Sequence, residues 1–201
     1  MFEQDLIHRA IIYGPVILFS LTLHEFFHAW TAMKFGDPTA ARLGRLTLNP
    51  LAHLDLMGTI VMVASGFRFG WAKPVPVNPL NLRNPRVADI WISAAGPLSN
   101  LALALLCGLI FRVTDAPEVV QRLLMAGVVI NVTLAFFNMI PLFPLDGSHV
   151  LRNLLPREMA AGYERFEQFA PWLLLIVVVS GLFWRVLGPV VGAVVRFLLG
   201  I

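Results

Sequence analysis

Charge is scarce in this chain and cysteine is nearly absent, and both shortages narrow what it can be. Only 13% of its 201 residues are Asp, Glu, Lys or Arg, against 58% hydrophobic, whereas a soluble domain carries about 25% charged residues. With a mean hydropathy of +0.76, the composition is that of an integral membrane protein in a lipid bilayer. The one cysteine, Cys107, sits in an apolar run. That excludes a disulfide framework and a cysteine metal site, and leaves Cys107 as a small residue facing a helix or lipid. The net charge of +3 and the pI near 9.6 come without a basic helix or an aromatic-basic module, so no nucleic-acid partner is expected. The excess reads instead as positive-inside loop charge. Met1 to Arg9 carries Glu3 and Asp5 and lacks a basic n-region, so the first apolar stretch is expected to be retained rather than cleaved as a signal peptide.

Four apolar stretches are long enough to span, given that a spanning helix needs about 20 residues: Ala10 to Met33, Val87 to Phe111, Val119 to Leu142, and Pro171 to near Leu199. Arg185 and Gly188-Pro189 interrupt the fourth, which predicts either one kinked helix or a span followed by an interfacial helix. Leu56 to Phe67 is too short to cross and reads as re-entrant or interfacial. Lys34 to Arg86 is broken repeatedly by Gly36-Asp37-Pro38, Asn49-Pro50, Lys73 to Pro79 and Asn84-Pro85. Two extended segments fit there: Ala41 to Leu48, by its alternation, and Trp71 to Val77, by the proline spacing of an edge strand. The expected fold is therefore an all-α polytopic membrane protein with a small extended segment and four to six transmembrane or re-entrant helices. It forms a single domain over residues 1–201, with a core at 10–150 and a C-terminal helical region at 171–200.

Inside the first stretch lies His24-Glu25-Phe26-Phe27-His28. On a helix His24 and His28 return to one face a turn apart, so two imidazoles can grip one Zn²⁺ while Glu25 serves a bound water as general base. Polar groups in hydrocarbon cost several kcal/mol unless paired, hydrated or metal-bound, which makes an intramembrane cluster a functional-site hypothesis. A catalytic zinc needs a third protein ligand. Asp146 is the best candidate, because Pro141 and Pro144 break the third span just before it and irregular backbone at membrane depth must line a cavity or pack in protein. The competing reading makes Asp146-Gly147 an interfacial turn. Lys34, Arg42, Arg45, Arg68, Lys73, Arg83 and Arg86 in the long loop place that loop in the cytoplasm, with His24 and His28 about 8 to 14 Å from that end of their helix.

The chain resembles the site-2 protease family, polytopic intramembrane zinc metalloproteases. The matching residues are His24 to His28 and Asn138 through Gly147, the family's N-x-x-P-x-x-P-L-D-G pattern. Asn49 to Gly58, Trp71 to Asn78 and Ala95 to Asn100 also resemble stretches of compact bacterial members, and the likeness runs from about residue 10 to 150. It implies one zinc per chain held by His24, His28 and Asp146, Glu25 as catalytic base, and Asn138 as a donor to the oxyanion or to the substrate backbone. Capping of the broken helix end is an equal reading of Asn138. It further implies single-span membrane proteins as substrates, a bacterial inner membrane, and a compact form with room for neither a PDZ domain nor a regulatory pair. A substrate helix must be unwound before it is cut, and the Arg42 to Leu48 or Trp71 to Val77 segment could supply an edge for it. Ser93 to Gly96 and Asn100 fit close helix packing. His53 and Asp55 read as a local hydrogen-bonding pair, against a second metal or proton-relay element, and His8 and His149 as surface or interfacial residues. The two functional alternatives are a proteolytically silent scaffold of the same fold and a small zinc transporter.

Overall fold

The computed structural model describes residues 2–67 and 69–201, and the side chains among them from Ala10 onward; His8 and Arg68, read above as an interfacial residue and a loop charge, lie outside the described side chains. Among the described residues nine α-helices follow one another: α1 (Phe2–Lys34), α2 (Thr39–Arg42), α3 (Leu56–Ala64), α4 (Pro85–Val113), α5 (Glu118–Asn138), α6 (Asp146–Leu154), α7 (Arg157–Phe166), α8 (Ala170–Val179) and α9 (Leu182–Leu199). Four of these, α1 from Ala10, α4, α5 and α9, are long and apolar enough to cross a membrane. The protein is an all-α integral membrane protein, as its composition predicts.

Local chemistry sets the ends of these helices. Asn84 caps α4 by accepting from Val87 N–H, with Pro85 in the first turn where its missing N–H costs nothing. Asp55 caps α3 by accepting from Gly58 N–H at 2.8 Å. α4 is the central helix, packed against α1, α5, α6 and α9. Its small residues permit this. A Cβ on Gly108 would lie 2.9 Å from Leu198 O of α9, and one on Gly127 of α5 would lie 2.8 Å from Cys107 Sγ, so close packing, the main source of helix association in lipid, requires glycine at both. The apolar core under these contacts is Ala104, Val128, Val132, Val191 and Leu199. Trp71, Trp172 and Trp184 are half or more exposed, as expected of interfacial and lipid-facing aromatics.

Several expectations need correction. Ala41 to Leu48 is not extended: α2 ends at Arg42 and turns follow, with Gly44 at φ 70°. Trp71 to Val77 is extended, but it makes only one isolated antiparallel bridge, Ala72 with Leu54, and no sheet forms among the described residues. Leu56 to Phe67 does hold a short helix, nine residues long. The C-terminal stretch breaks at Ser180-Gly181, where Gly181 takes φ 71°, while Pro189 is carried inside α9. The third span stops at Asn138 rather than Leu142.

Candidate metal centre

α1 turns His24, Glu25 and His28 inward, each under 10% exposed, while Phe19 and Trp30 face outward. α4 runs antiparallel beside it. His28 Nδ1 donates to Ile92 O at 2.6 Å, a main-chain carbonyl that can only accept, and His24 Nδ1 lies 2.6 Å from Asn100 Oδ1. Both Nδ1 atoms are thus occupied from behind, and both Nε2 atoms point forward to Asp146. His24 Nε2 is 3.2 Å from Asp146 Oδ2 and His28 Nε2 is 3.4 Å from Asp146 Oδ1.

Asp146 arrives there because the chain leaves helix after Asn138, passes Pro141 and Pro144, and restarts at α6 with Asp146 as its first residue. Gly147 makes the turn possible, since a Cβ there would sit 2.3 Å from Met139 O. The Asp146 Oδ2 is buried and has no hydrogen-bond partner.

These residues fit a zinc ion. Ligands about 2.0–2.1 Å from a tetrahedral zinc lie about 3.3–3.4 Å from one another, and the two imidazole–carboxylate separations match. The three ligand atoms lie within 4.8 Å of each other, and His24, His28 and Asp146 are the one such group among the described residues. The space against the two imidazoles is held open by Gly96, whose Cβ would fall 2.4 Å from His28 Nε2 and 2.6 Å from His24 Nε2, where a metal on those nitrogens needs room. Ser93 to Gly96 was expected to serve helix packing; at Gly96 the close neighbours are the two imidazoles.

Comparison with known proteins decides the family. The profile of peptidase family M50 matches residues 112–181. A protein of Bacillus subtilis named by inference as a zinc metalloprotease, YwhC, is 37% identical over 186 residues, covering 88% of this chain and 84% of its own. The chain belongs to peptidase family M50, the site-2 proteases. A Mycobacterium tuberculosis relative also named by inference as a zinc metalloprotease, Rip2, is 34% identical over 168 residues, 80% of this chain and 63% of that protein. The zinc metalloprotease MJ0392 of Methanocaldococcus jannaschii is 26% identical over 156 residues, 77% of this chain but 37% of that longer one. No solved structure matches. As an M50 member with four apolar spans, the protein is an intramembrane zinc metalloprotease.

The donor set opens on a cavity of about 510 Å³ lined by His24, Glu25, His28, Asn138, Asp146 and His149, and by Trp71, Ala72, Pro74, Val75 and Val77 of the extended segment. Asn138 spends one amide hydrogen on Leu134 O within its own helix, at 3.0 Å, and keeps its second donor. His149 reaches the cavity wall, its Nδ1 3.5 Å from Asp89 Oδ2. The expected His53–Asp55 pair does not form. His53 is buried and bonds Thr47 O through Nε2 at 2.8 Å, while Asp55 is occupied with capping α3.

Two residues that position the far wall went unnoticed as such in the sequence. Arg45, counted there as a loop charge, is buried and donates to Lys73 O and Pro74 O. Asp37 is fully buried and accepts from Thr39 N–H, Thr39 Oγ1, Asn78 N–H and Asn81 Nδ2 at 2.5 to 3.0 Å, tying the end of α1 to the end of the extended segment. Burial opposes its charge, but the hydrogen bonds from Asn81, Thr39 and Asn78 prevail and hold the carboxyl below the usual aspartate range. Neither residue belongs to a chemical motif; each is legible only once the fold brings its partners in from 28 to 44 positions away.

Proposed function

We propose that His24, His28 and Asp146 hold the zinc, that Glu25 is the general base, and that the enzyme cuts single-span membrane proteins presented as extended chain. The reading rests above all on the convergence of the His24 and His28 Nε2 atoms and an unpartnered Asp146 oxygen on one point beside Glu25. Held by His24, His28 and Asp146, zinc would supply the Lewis acidity that amide hydrolysis by water needs. Glu25 takes a proton from the attacking water at its carboxylate and passes it to the leaving amine. Asn138 offers its unspent amide hydrogen to the substrate carbonyl as charge develops on its oxygen.

The substrate sits between these residues and Trp71 to Val77. That segment is held from one side by the Ala72–Leu54 bridge, by Lys73 N–H donating to His53 O, and by Arg45. The Val75 and Val77 N–H groups have no partner among the described residues, and Pro74 and Pro76 have none to offer. An unwound substrate can pair there by strand addition. An apolar cleft lined by Ile17, Phe67, Phe69 and Trp184 shares Leu21, Gly70 and Leu134 with the cavity's wall, and supports entry of the substrate from the lipid on that side. We infer a site toward the cytoplasmic face of a bacterial inner membrane; the excess of Lys and Arg over Asp and Glu between residues 34 and 86 supports the cytoplasmic side. Residues 1–201 act as one catalytic unit.

The test is purified protein in detergent with a single-span substrate, alongside Asp146→Ala. The parent should hold about one zinc and cleave; the variant should lose both the metal and the cleavage. Retention of zinc and turnover by Asp146→Ala would remove Asp146 from the ligand set.

A further inference from the structure

Behind His24 lie three polar side chains that take no part in the chemistry above: Ser20 of α1, Asn100 of α4 and Asn131 of α5. All three are completely buried. Asn100 Nδ2 donates to Asn131 Oδ1 at 2.8 Å and to Ser20 O at 3.3 Å. Asn131 Nδ2 donates to Ser20 Oγ and to Gly127 O, both at 2.8 Å. The chain of bonds then ends on His24, whose Nδ1 is 2.6 Å from Asn100 Oδ1.

Which way each amide faces is forced by two main-chain carbonyls. Gly127 O can only accept, so the Asn131 amide must turn its NH₂ toward it, leaving Oδ1 toward Asn100. Ser20 O can also only accept, so Asn100 presents its NH₂ to Ser20 O and Asn131 Oδ1 together. Turning Asn100 over would set its oxygen against two acceptors with no proton among them, in a buried site where unmet polar groups are costly. Asn100 therefore offers an oxygen to His24, Nδ1 must carry the hydrogen, and the lone pair is left on Nε2, the atom that faces Asp146. His28 needs no such support, because the Ile92 carbonyl fixes its ring directly.

We propose that Asn131, acting through Asn100, is a positioning residue for the metal: it locks His24 in the Nδ1–H tautomer from α5, touching neither a metal ligand nor the catalytic cavity. This rests on the zinc reading above. Partners that orient a ligating histidine are generally worth about 10- to 100-fold in metal affinity.

The experiment is zinc affinity, by competition with a chromogenic chelator, on the folded protein in detergent. Asn100→Leu should weaken zinc by about 10- to 100-fold and Asn131→Leu by about tenfold. The double variant should be no worse than Asn100→Leu alone, because Asn131 acts only through Asn100. Asn131→Asp, neutral when buried, can still accept from Asn100 and donate to Gly127 O, so it should stay near the parent. Ser20→Ala should also stay near the parent, since Gly127 O and Ser20 O still set both amides. Asn131→Ala repeats the loss with a smaller side chain in case leucine is not accommodated. Parental affinity in both Asn131→Leu and Asn131→Ala, or losses that multiply in the double variant, would overturn the relay. A His24→Ala variant that binds zinc as tightly as the parent would overturn the metal reading and the relay together, which separates the two failures.

Discussion

The two walls of the catalytic cavity are built on opposite plans. On the α1–α4–α5 side the polar atoms directly behind the histidines are consumed: both histidine Nδ1 atoms, both amides behind His24 and the Gly127 and Ser20 carbonyls all have partners, and the two Nε2 atoms are left to face Asp146. On the Trp71 to Val77 side the chain is pinned from behind by Arg45, His53 and Asp37, and the Val75 and Val77 N–H groups are left unpaired among the described residues. On the proposed reading, one wall is finished so that a metal sits in one place, and the other is left open in a form that a substrate backbone can complete. The difference separates metal binding from substrate presentation, and it can be broken on either side.

The largest effect is expected at Gly96. Gly96→Ala puts a Cβ 2.4 Å from His28 Nε2, inside the space a zinc about 2.0–2.1 Å away must use. Zinc affinity should fall by at least about 100-fold and cleavage with it, while the helix itself, if anything, gains from alanine. Gly162→Ala, at an open position in α7, is the matched control and should leave zinc and activity at parental levels. Equal zinc content in Gly96→Ala and the parent would show that the metal does not lie in the space beside Gly96 and the two imidazoles.

Next comes Arg45. Arg45→Leu frees the Lys73 and Pro74 carbonyls and loosens the substrate wall without touching the metal. KM should rise by about tenfold with kcat within about threefold, the pattern of lost substrate binding rather than lost chemistry. Arg45→Lys should recover only part, since an ammonium cannot reproduce the guanidinium fork. A fall in kcat at constant KM would move Arg45 to the chemical side of the comparison.

The smallest effect belongs to Asp37, which supports the open wall at its far end. Asp37→Ala leaves several donors unmet and should cost about 2 kcal/mol of stability, read as a lower unfolding temperature, with zinc content unchanged. Because the folded carboxyl ionises below its ordinary value of about 3.9, its contribution is fully present above that pH and is lost as pH falls below it. The stability gap between parent and variant should therefore be constant from neutral pH down to about 5 and close under stronger acid. A gap that widened on acidification would contradict a charged Asp37.

The metal side of the cavity was the more legible in sequence. His24, Glu25 and His28 are local: helical periodicity alone puts the histidines on one face. The approach of Asp146 to the histidines was readable because Pro141 and Pro144 end a span in front of an aspartate, and length and hydropathy were enough to place the spans of α1, α4 and α5. The relay behind His24 was not readable, since Ser20 and Asn131 are single polar residues in separate apolar runs, 111 positions apart. Arg45 was misread for a related reason, as nothing in an arginine's neighbours says whether its charge faces water or clasps carbonyls 28 and 29 residues on. Ala41 to Leu48 had the alternation of a strand but no partner strand to pair with. The C-terminal break fell at Gly181 because a left-handed residue stops a helix more firmly there than Pro189, which α9 accommodates.

The central claim is that Glu25 acts on the proton and the three ligands hold the metal. It is tested most directly by measuring zinc content and single-span substrate cleavage for the parent and Glu25→Gln prepared side by side. The account predicts about one zinc in each, with cleavage lower in Glu25→Gln by about 10²- to 10⁴-fold, the range for loss of a general base. Cleavage by Glu25→Gln at the parental rate, with zinc in place, would contradict it.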